Sequence, residues 1–139
     1  MNAVLQRLVR QRAKGRCEYC VIAESASRLP FQIDHIVAIS HGGATILSNL
    51  SYSCLSCNKH KGPNLSGIDP KTKRIVRLFH SPLHKWEYHF RYQGAYVSGR
   101  TPYGRATVAT LAMNDPMFVA VRQTLIEEGV LPPSAESAD

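Results

Sequence analysis

Residues 17–62 read CEYCVIAESASRLPFQIDHIVAISHGGATILSNLSYSCLSCNKHKG, and they hold all four cysteines of the chain. The cysteines form two Cys-x-x-Cys pairs, Cys17 with Cys20 and Cys54 with Cys57, with none left over. Two intervening residues let the backbone turn so that both sulfurs of a pair reach one ion, and two such knuckles complete the tetrahedral thiolate shell of a structural zinc. A redox dithiol or two local disulfides are the alternatives. A shell of four protein ligands leaves no position for water or substrate, so chemistry must sit elsewhere and the ion counts toward folding. The ion would clamp together the two ends of the long insert 21–53.

Within that insert, 31–39 (FQIDHIVAI) is rich in β-branched residues and predicts a strand. SHGG ends it in a tight turn with two glycines, and His41 belongs to that turn. Leu50–Ser53 predicts a second strand and Leu55–Lys61 a short helix stopped by Gly62 and Pro63. Asp34 and His35 are adjacent, so their side chains alternate about the strand and serve one site only at an edge or a twist. Asn49 lies in the entry to the second strand. Asn58 follows the last cysteine on the helix, with Lys61 three positions on; His60 is the alternative to Asn58 as a ligand-bearing residue.

Outward from the cysteine frame, residues 2–14 place Val4, Leu5, Leu8 and Val9 at helical spacing. Arg7, Arg10, Arg12, Lys14 and Arg16 make the segment 1–16 basic, as a solvated face, a phosphate-binding face, or both. Residues 62–73 (GPNLSGIDPKTK) read as a loop. Residues 74–79, 86–92 and 95–98 predict strands of a small antiparallel sheet, the last two joined at Gln93 and Gly94. The runs 105–114 and 116–129 predict helices, with Asp115 capping the second. His80, His84 and His89 fall among Trp86, Tyr88, Phe90 and Tyr92, where packing is the default role. The expectation is one α+β domain over 1–139: a basic helix 1–16, a zinc-clamped core 17–62, a strand and helix extension 63–130, and a frayed tail 131–139.

The chain has 139 residues and a formal charge of +7, with 17 Lys and Arg against 10 Asp and Glu. Four of the acids lie in the last thirteen residues, so 1–126 carries 17 bases against 6 acids. Four zinc-bound thiolates and one divalent ion lower the total by two, to +5, and leave the surface electropositive. Such a surface favours a polyanion, with Arg74, Arg77, Arg91, Arg100 and Arg105 as further backbone contacts. A hydrophobic content of 44% excludes a disordered chain. No apolar run suits a membrane span and the amino terminus has no signal-peptide core, so a cytoplasmic location is expected and the cysteines should be reduced.

In order, Asp34-His35, Gly42-Gly43, Asn49-Leu50, Cys57-Asn58 and Lys61-Gly62, interlocked with both cysteine pairs, resemble the HNH endonuclease family. The resemblance covers roughly residues 16–62 and points to its zinc-clamped branch, with Asn58 in place of the last His. The block TPYGRATVATLAMN is similar to extensions of stand-alone bacterial members. The resemblance implies a ββα-metal (His-Me finger) core whose helix sits at the minor-groove side of a scissile phosphate. It implies a metal-dependent endonuclease with His35 as general base, Asp34 and Asn58 on one catalytic Mg²⁺ or Mn²⁺, Asn49 holding the His-bearing strand, and Lys61 touching phosphate. One structural Zn²⁺ would sit on Cys17, Cys20, Cys54 and Cys57. The expected partner is DNA, with RNA open, and the chain acts as a monomer or weak homodimer. A non-catalytic zinc module that binds nucleic acid is the competing reading, and a redox or metal-handling protein a weaker one.

Overall fold

The chain folds into five helices and three separate two-stranded antiparallel sheets, as described for residues 1–132 by a computed structural model. Helix α1 (Ala3–Ala13) starts where the Asn2 side chain accepts from the Leu5 amide, and it ends as Lys14 turns left-handed. Of its apolar residues, Val9 is fully buried and Leu5 partly, whereas Val4 and Leu8 stay exposed. The stripe that packs is narrower than the periodicity suggested.

Strands β1 (Gln32–His35) and β2 (Leu50–Ser53) pair antiparallel with Asp34 opposite Ser51 and His35 opposite Leu50. The predicted strand 31–39 is thus cut at His35. Beyond it the Ile36 amide still reaches the Asn49 carbonyl, but the chain then bends into a 3-10 turn at Ile39–His41. The two glycines of the turn have different jobs. Gly42 has φ 85°, where a side chain is strained, and Gly43 lies so close to the Val37 backbone that a Cβ would overlap it. Helix α2 (Leu55–Lys61) follows β2 at once, is capped by the Cys54 sulfur, and packs on β1. The order strand, strand, helix matches the expectation.

The extension departs from it in three places. The stretch read as a loop contains β3 (Ser66–Ile68), which pairs with β4 (Ile75–Arg77), and Asp69 closes the hairpin by accepting from the Lys71 amide and the Thr72 hydroxyl. An Asx-type side chain held by one backbone amide and one hydroxyl makes this turn regular, which a count of Gly, Pro and Asn does not reveal. The predicted strand 86–92 splits into the helical turn α3 (Trp86–His89) and β5 (Phe90–Gln93), which pairs with β6 (Tyr96–Gly99) across Gly94. Helix α4 (Pro102–Thr110) begins three residues earlier than predicted because Thr101 caps it and Pro102 takes its first position. Helix α5 (Pro116–Glu127) starts on the Asp115 cap as predicted.

Buried residues form one cluster that joins the cysteines to the extension: Cys17, Tyr19, Cys20 and Cys57 pack with Phe79, Phe90, Val97, Leu111 and Met113. Leu131 is also buried, so the tail expected to fray at 131 holds at that residue; 133–139 lie outside the described residues. No described helix is long and apolar enough to cross a membrane.

Candidate active site and metal centre

The four cysteine sulfurs all lie within 4.8 Å of one another, and Cys20 and Cys54 are 3.8 Å apart. A tetrahedron of zinc–sulfur bonds of about 2.3 Å has edges of about 3.8 Å. Each knuckle points an amide at its own first sulfur, Cys20 N at Cys17 and Cys57 N at Cys54, which suits thiolate acceptors. The first knuckle is closed by Cys17 N on Ile22 O and Val21 N on Cys17 O, with Val21 at φ 67°, a conformation that a β-branched residue adopts only under constraint. Four thiolates this close together repel one another unless a cation sits among them, and the donor set fits zinc.

The polar cluster lies on the far side of β1. Gln32 and Asp34 share one face of the strand, and the Asn58 side-chain amide, on α2, donates to Gln32 Oε1. This leaves Asn58 Oδ1 as the acceptor on that side. His60 turns elsewhere, to the Ser56 carbonyl at 2.8 Å and against the ring of Phe118. Burial raises the Asp34 carboxyl, opposed by the nearby Lys61 ammonium and by His35. His35 is the last residue of β1, and its Nε2 lies 2.9 Å from Thr45 Oγ1.

Asn49 is 8% exposed and ties the two sides of the intervening loop. Its Oδ1 accepts from Val37 N at 2.9 Å, and its Nδ2 donates to Val37 O at 3.1 Å and Ala44 O at 2.8 Å. The backbone that leaves His35 and the segment that brings Thr45 back to it are therefore held by one side chain.

Residues 17–64 match the HNH endonuclease family model. The match spans about a third of the chain and starts at the first cysteine of the four-sulfur cluster. No curated protein and no solved structure matches the chain. The HNH segment indicates a nuclease-type function directed at nucleic acid.

Several basic residues expected to contact phosphate have other partners in and around the HNH segment. Lys61 is 1% exposed, and its Nζ donates to Ile36 O at 3.0 Å and Gly62 O at 3.3 Å. Burial lowers its pKa, with Asp34 opposing. The ammonium that was expected at phosphate is here turned to backbone carbonyls, because its α2 face points inward toward the end of β1. Arg12 grips Glu18 through Nε and Nη2 at 2.9 and 2.7 Å, and also donates to the carbonyls of Leu47 and Leu50, so it fastens α1 to the loop entering β2 rather than facing solvent. Glu18 in turn accepts from Tyr52 N at 2.8 Å. Arg16 donates to Val21 O at 3.1 Å within the first knuckle, and Arg105 is paired to Asp69. Arg7 and Arg10 remain exposed on α1, as does Lys14 at its end.

The histidines of the extension pack as expected. His84 and His89 sit against Phe79 and Tyr103, and burial lowers His80 and His89. His80 also reaches the Ser48 carbonyl beside Asn49, which links the extension to the HNH loop. Sequence reasoning missed Thr45 and Gln32. Gln32 was open to discovery, since it lies two residues before Asp34 and strand alternation puts both on one face. Thr45 carried no local signal: only the doubling back at Gly42-Gly43 brings it to His35.

Proposed function

We propose that this protein is a metal-dependent endonuclease that hydrolyses phosphodiester bonds in DNA and leaves 5′-phosphate and 3′-hydroxyl ends. One observation supports the reading: in the segment that matches HNH endonucleases, Asp34 shares a β1 face with Gln32, which accepts from the Asn58 amide of α2, and His35 follows Asp34 as the last residue of the strand. Asp34 and Asn58 are hard oxygen donors on one face and fit a single Mg²⁺ or Mn²⁺. When bound, such an ion supplies charge stabilisation at the phosphoryl and leaving oxygens.

His35 takes the proton. If Nε2–H donates to Thr45 Oγ1, Nδ1 carries the lone pair, and a neutral imidazole accepts a proton from water near neutral pH. Asn49 keeps this geometry by fixing the backbone on both sides of the loop. His35 closes β1 at the strand's end, next to Asp34, where neighbouring side chains can both serve one site. Arg7 and Arg10, exposed on α1, add sequence-independent backbone attraction. A reducing cytoplasm suits the thiolate centre.

The test is nicking of supercoiled plasmid with Mg²⁺, Mn²⁺ or chelator, on wild type and on His35→Ala. Loss of general-base catalysis lowers the rate by about 10²–10⁴-fold, with zinc content and DNA affinity retained. Undiminished cutting by His35→Ala sinks the assignment. Wild-type protein that binds DNA but nicks under no divalent ion is a binding module, and a parallel RNA substrate decides between the two polymers.

A further inference from the structure

Arg122, on α5, is 1% exposed. Its guanidinium donates to Ala95 O from Nε at 2.6 Å, and from Nη2 to Met113 O and to Asn114 Oδ1 at 3.1 Å. All three acceptors are neutral. Among the described residues the ion pairs are Arg12 with Glu18 and Arg105 with Asp69, and neither involves Arg122. A guanidinium stays protonated in a protein, and a full charge withdrawn from water is costly unless an opposite charge faces it.

The opposite charge lies next door. Arg122 shares the wall of a small cavity of about 30 Å³ with Cys20, Cys54 and Cys57, the remainder being Ser56 and apolar side chains such as Leu111 and Phe118. That volume is too small for an organic ligand. Tyr92 packs at the same place, its hydroxyl donating to Cys20 O. Four thiolates around one zinc carry a net charge of −2, and across apolar walls the attraction is weakly screened.

We propose that Arg122 is the buried counter-charge of the zinc–thiolate centre, supplied by the helix that closes the extension over the second face of the cysteine cluster. On this reading the extension beyond the HNH match is part of the metal site, and zinc retention depends on α5. The inference is independent of whether the protein cuts DNA.

The experiment uses the full chain, loaded with Co²⁺ as a spectroscopic stand-in and separately with Zn²⁺ for chelator competition. Wild type is compared with Arg122→Gln, which removes the charge, Arg122→Lys, which keeps it, and Leu125→Ala, which loosens the same helix at a buried apolar position. Losing one partner of a buried charge pair weakens zinc binding by at least about tenfold in Arg122→Gln. The sulfur-to-cobalt charge-transfer band should move to lower energy in that variant, because the sulfur electrons lose a stabilising cation. Arg122→Lys should keep the band and most of the affinity, and Leu125→Ala should keep the band. An unmoved band in Arg122→Gln, with affinity no weaker than in Leu125→Ala, overturns the proposal. If Arg122→Gln fails to fold with either metal, Arg122→Lys decides: a native band supports the counter-charge, and failure of that variant too shows that the shape of the fork matters rather than its charge, which also overturns it.

Discussion

Replacing Lys61 by methionine separates two roles that a lysine after an HNH helix could have. Methionine matches the stem of the side chain and removes the ammonium. Lys61 Nζ is the donor for Ile36 O, in the first residue beyond β1, and for Gly62 O, at the end of α2. An unpaired buried acceptor costs about 1–3 kcal/mol. Relief from burying a charge works the other way, as the lowered pKa of Lys61 shows, but the field of Asp34 holds that relief down. The Ile36 carbonyl therefore dominates, and a net loss of about 1–3 kcal/mol is expected. At about 3 °C per kcal/mol for a chain of this size, the melting temperature falls by about 3–9 °C. DNA affinity measured against salt should keep its slope, because no phosphate contact disappears. A melting temperature within about 1 °C of wild type, with a slope reduced by about 0.9, would refute the buried role and restore a phosphate contact.

Thr45→Val removes the hydroxyl beside His35 Nε2, and loss of one orienting hydrogen bond of about 1 kcal/mol lowers kcat about fivefold. Thr45→Ser should restore it, and the acid limb of the pH–rate profile should move in the valine variant only; equal loss in both would show a packing role. Stripping zinc with a strong chelator should abolish the cooperative melt followed by circular dichroism. Structural zinc contributes about 10–16 kcal/mol in small domains, as much as a domain's whole stability, and three of the cysteines belong to the core cluster; an unchanged melt would mean that the cluster is not a metal site. Asp69 is held well below the usual carboxylate range, first by the Arg105 guanidinium and further by Lys71 N and Thr72. Its stabilising contribution is present above the unfolded carboxylate pKa and is lost as pH falls toward the folded one. Asp69→Asn should thus lower the melting temperature at pH 7 and flatten its decline below about pH 4; a decline as steep as wild type would place the acid sensitivity elsewhere.

What could be read in the sequence was whatever rests on local spacing. Cys17, Cys20, Cys54 and Cys57 announce a shared ion because the turn between paired cysteines is built from adjacent residues, and Asp115 announces α5 because a cap and its helix are contiguous. The helix Leu55–Lys61 came out to the residue for the same reason, between a capping cysteine and Gly62. The failures share a different cause. Whether a basic side chain meets water or a carbonyl depends on what the rest of the chain lays over it. Lys61 and Arg12 look on paper like Arg7, yet the first is closed in by the end of β1 and the second by Glu18 and Leu50. Thr45 reaches His35 only because Gly43 lets the loop lie against the Val37 backbone and Asn49 holds it there. Residue type marked where charge exists; only the closed loop marked which charges remain for a substrate. The basic excess that first suggested a polyanion is smaller at the surface than the composition implies, because Arg12, Lys61, Arg105 and Arg122 have protein partners. Of the basic residues in and beside the HNH segment, Arg7 and Arg10 on α1 and Lys59 on α2 keep exposed side chains, so the electropositive surface is set by both helices rather than by Lys61.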